Sequence, residues 1–137
     1  MKRCVVKLDS KDKIKKIDRW QKIAEVASKQ SLRDSILNVN SIMSFEEMCS
    51  KLSEFDCVIL AYEKEEKTSL KDVLRDKINS FNNVAVIVGP EGGIDVEEER
   101  KLVQSGAISV TLGKRILRTE TAPVVLSAII MYEKEDK

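Results

Sequence analysis

Two short stretches of the sequence carry residue types that could bind a ligand and act on it. The first is Gly89-Pro90-Glu91-Gly92-Gly93, in which three glycines and a proline let the backbone turn sharply and approach a ligand closely. It follows an apolar strand pattern and precedes a helix pattern, and in open α/β sheets the crevice beyond the strand C-termini is the usual ligand site. The glycine spacing matches neither a dinucleotide fingerprint nor a phosphate loop, so a nucleotide-like ligand held without its phosphates is favoured. A tight structural turn is the alternative.

The second stretch is residues 112–122, LGKRILRTETA, which sets three basic residues and two hydroxyls just before a predicted helix. Such a loop suits an anionic or enolate-like group, since the helix dipole and the free N–H groups at a helix start also favour negative charge. Arg118, with Glu120 beside it, is the side chain that could act on a reacting group. A structural salt bridge between the two is the alternative interpretation.

The absence of histidine and the pattern of cysteines exclude several kinds of active site. Without histidine the chain lacks Ser-His and Cys-His nucleophile pairs and the commonest metal ligand. Cys4, Cys49 and Cys57 are widely spaced and form neither a CxxC pair nor a zinc pattern. We therefore expect reduced, mostly buried thiols, no metal site and a cytoplasmic protein.

Charge is unevenly distributed along a chain whose composition is that of a globular domain. The chain is 42% hydrophobic and 34% charged, and no apolar run approaches the ~20 residues of a membrane span. Residues 1–34 contain 11 Lys/Arg and 5 Asp/Glu, whereas residues 35–137 contain 13 Lys/Arg and 18 Asp/Glu. A basic end on an acidic domain is compatible with a nucleic-acid partner, although a solvated helix face explains the charge equally well.

Short apolar runs alternate with amphipathic stretches, which favours an α/β fold with a largely parallel sheet flanked by helices. Runs that are apolar throughout predict strands covered on both faces, and an alternating run predicts a half-buried strand. The predicted strands are 57–62 and 84–88 from continuous runs, 36–42 from alternation, and shorter ones at 4–6 and 108–112.

Capping residues and helical spacing predict the helices. Ser44 and Asp95 each stand three residues before a glutamate, which is the spacing of a capping box. The last helix is expected to begin at Thr119 with Pro123 in its first turn, and it is apolar nearly all round. Such a helix must be buried on several sides, in the core or against a partner chain. The predicted helices are residues 14–30, 44–52, 70–78, 95–105 and the segment after 119.

Taken together, GPEGG and the later LGKRILRTETA strongly resemble the RsmE family of SPOUT methyltransferases. Residues 19–23 (RWQKI) and 27–33 (ASKQSLR) are also similar to stretches of that family. The resemblance covers nearly the whole chain, and it is specific because separate motifs agree in order, spacing and structural context. It implies S-adenosylmethionine-dependent methylation of uridine N3 in small-subunit (16S) ribosomal RNA.

The resemblance also implies an architecture and a set of site residues. A single SPOUT domain over residues 1–137 would carry a trefoil knot near its C-terminus and would form a homodimer that covers the last helix. Lys29, Gln30 and Arg33 are the candidates for contacting RNA, with helix-end solvation as the alternative. Three loops would bind the cofactor through Leu60, Ala61 and Tyr62; Gly89, Pro90, Glu91, Gly92 and Gly93; and Leu112, Gly113, Ile116, Leu117 and Thr119.

The chain departs from the family pattern at its N-terminal end. Full-length members carry a PUA-like RNA-binding domain and then a first strand and helix of the methyltransferase domain, and neither is visible in this sequence. We therefore expect the chain to be the cofactor-binding half of such an enzyme, with the residues of the knot retained.

The implied mechanism is an in-line displacement at the methyl group of a sulfonium. Arg118 would place positive charge near O2 or O4 of the uracil, and Glu120 would act as the base or orient Arg118. A ribose 2′-O-methyltransferase of the same superfamily ranks lower, because those enzymes usually carry a SLN-type motif where this chain has LRTETA. A non-catalytic RNA-binding module of the same fold is the other alternative. A nucleotide-binding regulatory domain is disfavoured because the chain has no phosphate-loop lysine.

Overall fold

The computed structural model describes residue 1, residues 9–77 and residues 80–135. The predicted strand at residues 4–6 lies outside the described residues. The rest divides into two compact units, one formed by residues 9–44 and the other by the residues from 45 onward together with residue 1. The prediction that residues 1–137 form one domain stays a prediction.

The larger unit is built on a three-stranded parallel sheet. Its strands are β1 (Cys57–Ala61), β2 (Val84–Val88) and β3 (Ala107–Val110), in the spatial order β2-β1-β3. The predicted parallel α/β arrangement is therefore confirmed. The strand predicted at 84–88 has the predicted bounds, whereas the one predicted at 108–112 begins at Ala107 and ends at Val110.

Helices cover both faces of this sheet because strands β1 and β2 are apolar on both faces. Ile59 packs with residues of the two helices on one face, and Val58 and Leu60 pack on the other. Ile59 and Leu60 are fully buried, as predicted for a strand covered on both sides. In chain order, the first helix is α1 (Ser10–Gln30), which belongs to the smaller unit. The α-helices described in the larger unit are α2 (Phe45–Lys51), α3 (Leu70–Lys77), α4 (Val96–Gln104) and α5 (Ala122–Glu135).

The last helix begins later than predicted and is buried on one side. Thr119 is not its cap, because the N–H groups of Thr121 and Ala122 both donate to the Arg118 carbonyl and form a turn before α5 starts. Pro123 lies in the first turn, as predicted. Ala122, Leu126 and Ile130 form the buried stripe. The opposite face is exposed and apolar, and it includes Val124, Met131 and Tyr132.

The smaller unit contains helix α1, which ends at Gln30 as predicted, and the segment that follows it. The prediction of a strand at residues 36–42 is wrong. Its backbone bonds to side chains of α1 instead: the N–H of Val39 donates to Oε1 of Gln21 at 2.8 Å, and Nε2 of Gln21 donates to the Leu37 carbonyl at 3.1 Å. The buried Ser28 hydroxyl accepts from the N–H of Leu37. These side chains occupy the positions that a neighbouring strand would take.

Helix α4 starts with the predicted capping box. Asp95 accepts a hydrogen bond from the N–H of Glu97 at 3.1 Å, and the Glu98 carboxylate accepts one from the N–H of Asp95 at 3.4 Å. Both bonds satisfy N–H groups that have no partner within the helix. The cap fixes where α4 begins, directly after the glycine-rich turn at residues 89–93.

Removing this cap tests its contribution to stability. We expect Asp95→Ala to lower the free energy of unfolding by about 1 kcal/mol, because the side-chain acceptor is lost. Urea unfolding followed by circular dichroism measures the effect. Asp95→Asn keeps an acceptor oxygen and serves as the control, with a change of at most a few tenths of a kcal/mol. Equal losses in the two variants would contradict the capping role.

Candidate functional site

The three strands end side by side, and a cavity of about 320 Å³ opens beyond their carboxyl ends. In the sheet register, Ala61 of β1 pairs with Val88 of β2 on one side and with Val110 of β3 on the other. The loops that follow the three strands therefore start at one level and form the cavity walls. A volume near the lower end of the usual ligand-pocket range suits one small molecule.

The loop after β1 is tied to the end of β3. The N–H of Tyr62 donates to the Val110 carbonyl at 3.1 Å, and the N–H of Leu70 donates to the Thr111 carbonyl at 3.2 Å. Thr111 in turn donates its N–H to the Thr68 carbonyl at 2.9 Å. These bonds hold two of the three cavity walls together through the main chain.

The glycine-rich turn after β2 forms a further wall, and close packing explains two of its glycines. The turn is closed by a bond of 2.8 Å from the N–H of Gly93 to the Pro90 carbonyl, with Gly93 at φ +74°. A Cβ on Gly93 would overlap the carboxylate of Glu63. A Cβ on Gly89 would lie 2.6 Å from Cγ1 of Ile94, a fully buried side chain, so the surrounding core would have to shift.

The loop after β3 supplies the last wall. Oγ1 of Thr111 accepts from the N–H of Gly113 at 3.2 Å, and Gly113 adopts φ +110°, which turns the chain toward the cavity. Leu117 and Thr119 line the cavity from this loop. Ile116 also lines it but is 82% exposed, so it lies at the open side.

The structure places all but one of the predicted cofactor-binding residues around this cavity. Leu60 is the exception, because its side chain is fully buried in the core beneath the sheet end. The predicted residues that line the cavity are Ala61, Tyr62, Gly89, Pro90, Glu91, Gly92, Gly93, Leu112, Gly113, Ile116, Leu117 and Thr119. Their role in binding a cofactor stays a prediction.

Sequence reasoning missed six further lining residues, of which three are polar. Glu63 directly follows the predicted strand 57–62, and Thr111 is the next-to-last residue of the predicted strand 108–112. Each lies one residue beyond a predicted cofactor-binding segment, so extending those segments by one residue would find both. Arg115 lies inside the predicted loop but is not among the predicted cofactor-binding residues. The others are Val88, Val110 and Ala122, which are the last residues of two strands and the first of α5.

The loop after β1 carries two glutamates with different roles. The carboxylate of Glu65 accepts from the N–H groups of Thr68 at 3.0 Å and Lys67 at 2.7 Å, and these bonds hold its pKa below its ordinary value. Glu65 therefore shapes its own loop. The carboxylate of Glu63 lies instead against Gly93, at the cavity.

The two residues predicted to act on the substrate lie beside the cavity rather than in its lining. Nη1 of Arg118 is 3.9 Å from Oε1 of Glu120, with side chains 86% and 69% exposed, respectively. An exposed pair at this distance contributes little to stability. Because Leu117 and Thr119 line the cavity, Arg118 is held at its rim, and its carbonyl is fixed by the turn that precedes α5.

The residues predicted to contact RNA belong to the smaller unit. Lys29 and Gln30 are the last turn of α1, and Arg33 follows the Ser31 cap. All three are exposed. The N–H of Arg33 donates to the Ser28 carbonyl at 3.0 Å, so the backbone at this position is ordered by the helix end.

The chain matches a family model and is similar to several named proteins. The model describes an RNA methyltransferase domain and matches residues 1–131. The chain is similar to Ribosomal RNA small subunit methyltransferase E of Bacillus subtilis, with 36% identity over 97% of this chain and 53% of that protein. The protein of the same name from Mesomycoplasma hyopneumoniae is 33% identical over 85% of this chain and 49% of its own length. The chain thus spans about half the length of the relatives it matches.

Two solved structures have a similar fold and contain a bound cofactor. One is Ribosomal RNA small subunit methyltransferase E from Neisseria gonorrhoeae bound to S-adenosylmethionine, with 35% identity and a TM-score of 0.77 over 95% of this chain and 51% of that one. The other is a methyltransferase from Legionella pneumophila in complex with the same cofactor, with 29% identity and a TM-score of 0.85 over 96% of this chain and 52% of that one. Among the described residues, no helix has the length and apolar character needed to cross a membrane.

Close packing at Gly89 can be tested by substitution. We expect Gly89→Ala to lower the free energy of unfolding by about 1–3 kcal/mol, because the added methyl group overlaps the buried Ile94. Backbone strain is not the reason, since Gly89 has no positive φ. Urea unfolding provides the measurement.

The double variant Gly89→Ala/Ile94→Ala is the control for this explanation. Ile94→Ala alone is costly, about 2–5 kcal/mol, but it makes room for the new methyl group. The double variant should therefore lose about 1 kcal/mol less than the sum of the single losses. Simple additivity would show that the Gly89 cost has another origin.

Proposed function

The chain belongs to the RNA methyltransferase domain family, and on that premise we propose that it binds S-adenosylmethionine in the cavity and methylates N3 of a uridine in small-subunit ribosomal RNA. The RsmE resemblance inferred from the two motifs is confirmed by the identity to Ribosomal RNA small subunit methyltransferase E. The single observation that carries the proposal is the meeting of both motifs around one cavity at the carboxyl end of the sheet.

The lining of the cavity supports binding of a sulfonium nucleoside. Apolar side chains such as Leu117 and the main chain of the glycine-rich turn suit a flat, uncharged base. Glycine at position 93, where φ is positive, lets the backbone come close to a ligand. Glu63, Glu91 and Arg115 supply charges of both signs for a ligand that carries both. When bound, S-adenosylmethionine supplies an electrophilic methyl group.

The chain's own residues have to position the uracil ring and handle the proton of N3. Arg118, free to reach outward from the cavity rim, would place its guanidinium near O2 or O4, where negative charge develops as N3 loses its proton. Glu120 would accept that proton or orient Arg118 through the contact of 3.9 Å between them. Alignment of N3 with the methyl carbon supplies much of the acceleration in a displacement of this kind.

Recognition of the RNA is assigned to exposed basic residues. Lys29, Gln30 and Arg33 would contact the phosphate backbone or bases, and the excess of Lys/Arg over Asp/Glu in residues 1–34 supports an anionic partner. With small-subunit ribosomal RNA as the substrate, the enzyme would act in the cytoplasm.

We also propose a trefoil knot in the segment that includes residues 112–122, and a homodimer formed through α5. The RsmE family resemblance supports the knot. The exposed apolar face of α5 supports the dimer, because Val124, Met131 and Tyr132 are 67%, 57% and 65% exposed on a helix whose opposite side packs in the core. Burial of that face against a second copy would remove its apolar surface from water.

The proposed function predicts a separation between binding and turnover. Arg118→Ala should reduce methyl transfer to small ribosomal subunits by about a hundredfold or more, because charge stabilisation at the uracil is lost. Its affinity for S-adenosylmethionine should change by less than about threefold, since Arg118 does not line the cavity. Nucleoside mass spectrometry for N3-methyluridine and calorimetry with the cofactor are the two measurements.

Arg100→Ala is the matched control, because Arg100 is also an exposed arginine paired with a glutamate, at 3.5 Å from Glu97. It should retain full transfer. Full transfer by Arg118→Ala would contradict the role of Arg118. Absence of cofactor binding by the unmodified chain would contradict the proposed function, and methylation of a ribose 2′-hydroxyl instead would favour the other enzyme of the superfamily.

The proposed dimer can be tested at the exposed face of α5. We expect Met131→Glu to shift the chain from dimer to monomer, because burial of an unpaired carboxylate in an apolar interface is costly. Light scattering after size-exclusion chromatography measures the mass. Val103→Glu, at an exposed valine on α4, is the control and should leave the mass unchanged. A monomeric unmodified chain would contradict the dimer.

A further inference from the structure

The cavity contains a carboxylate that sequence reasoning did not assign. Glu63 lies two residues after the last residue of β1 and lines the cavity. Among the described residues, the other charged side chains that line the cavity are Glu91 and Arg115. Its carboxylates therefore outnumber its guanidinium group.

The Glu63 carboxylate lies beside the glycine-rich turn and has no polar partner among the described residues. The group lies directly against the Cα position of Gly93, where any Cβ would overlap it. Within the part of the chain that the structure describes, no hydrogen bond or ion pair engages this carboxylate. By contrast, the neighbouring Glu65 is used by the N–H groups of its own loop.

The main chain is anchored on both sides of the contact between Glu63 and Gly93. On one side, its loop is anchored where the N–H of Tyr62 donates to the Val110 carbonyl at 3.1 Å. On the other side, the turn at Gly93 is closed by its bond to the Pro90 carbonyl. A carboxylate so placed, with four lone-pair sites and no partner among the described residues, can accept hydrogen bonds from a cationic ligand.

We infer that Glu63 is a cofactor-binding residue that recognises positive charge on the ligand, and this rests on the proposed function. S-adenosylmethionine carries an ammonium, a sulfonium and a carboxylate group. Glu63 would attract one of the cationic groups, and Arg115 at the same cavity offers a partner for the ligand carboxylate. Glu63 thereby selects a charged cofactor over an uncharged nucleoside thioether.

Loss of the Glu63 charge should weaken binding of a cationic ligand and leave binding of an uncharged one unchanged, whereas a purely steric role would affect both ligands alike. Glu63→Gln keeps the size of the side chain and removes its charge. Its affinity for S-adenosylmethionine should fall about tenfold or more. Its affinity for 5′-methylthioadenosine, which has the same nucleoside but neither cationic group, should change by less than about twofold. Calorimetry with the purified full chain measures both, and binding is read without any turnover.

S-adenosylhomocysteine identifies which cationic group is recognised, because it keeps the ammonium and lacks the sulfonium charge. A loss of its affinity in Glu63→Gln that matches the loss for S-adenosylmethionine assigns Glu63 to the ammonium. An unchanged affinity assigns it to the sulfonium. Either result supports the inference.

Glu66→Gln is the matched control, since Glu66 is an exposed glutamate on the same loop that does not line the cavity. It should bind all three ligands as the unmodified chain does. Thermal unfolding of the ligand-free variants checks that both substitutions leave the fold intact.

Two outcomes would overturn the inference while the proposed function stands. One is unchanged binding of S-adenosylmethionine by Glu63→Gln. The other is an equal loss for 5′-methylthioadenosine, which would mean that Glu63 binds the ribose or shapes the cavity. Failure of the unmodified chain to bind S-adenosylmethionine is a different result, because it overturns the proposed function and the inference with it.

Discussion

The candidate site depends on the register of three parallel strands about the central strand β1. Ala61 is aligned with Val88 on one side and Val110 on the other, so the three strands end at one level. A slip of one residue would turn each buried side chain to the opposite face and would displace the loops that follow. The fully buried Ile59 and Leu60, which point into the two separate halves of the core, oppose such a slip. The core thus fixes the cavity.

Given that register, the cavity walls are joined and closed by main-chain hydrogen bonds, and the charged groups of the lining lie in loops. Main-chain bonds from Tyr62 and Thr111 join two walls, and a bond within the glycine-rich turn closes the third. Such bonds keep their geometry when surface side chains change, so the cavity can keep its shape while its charges are tuned. Glu63 and Arg115 are exposed side chains of the lining. Each follows a residue whose N–H is hydrogen-bonded close by, Tyr62 before Glu63 and Gly113 before Arg115.

Most of the fold could be predicted because its signals are local. The strand at 84–88 and the cap at Asp95 each depend on residues close in sequence. The strand has its predicted bounds, and the cap is at its predicted residue. The error at 36–42 has a long-range cause, since Gln21 supplies the bonds that a strand partner would have made. Thr119 failed as a cap because the Arg118 carbonyl forms a turn that propensity does not report. Extending the predicted loop by one residue would reach Glu63, but the contact between its carboxylate and Gly93 joins residues distant in sequence and is not predictable from a local pattern.

The order of residues after Gly113 suggests how one short loop can serve two ligands. Leu117 and Thr119 line the cavity, whereas Arg118 and Glu120 between and after them are exposed at its rim. Neighbouring residues therefore face different surroundings. A ligand in the cavity would contact Leu117 and Thr119 and leave Arg118 and Glu120 accessible to a second ligand from solvent. This arrangement places the proposed catalytic pair next to residues of the cavity wall without making the pair part of that wall. A group that must act on a base brought from solvent gains from such a position, because its charge stays hydrated until the substrate displaces the water.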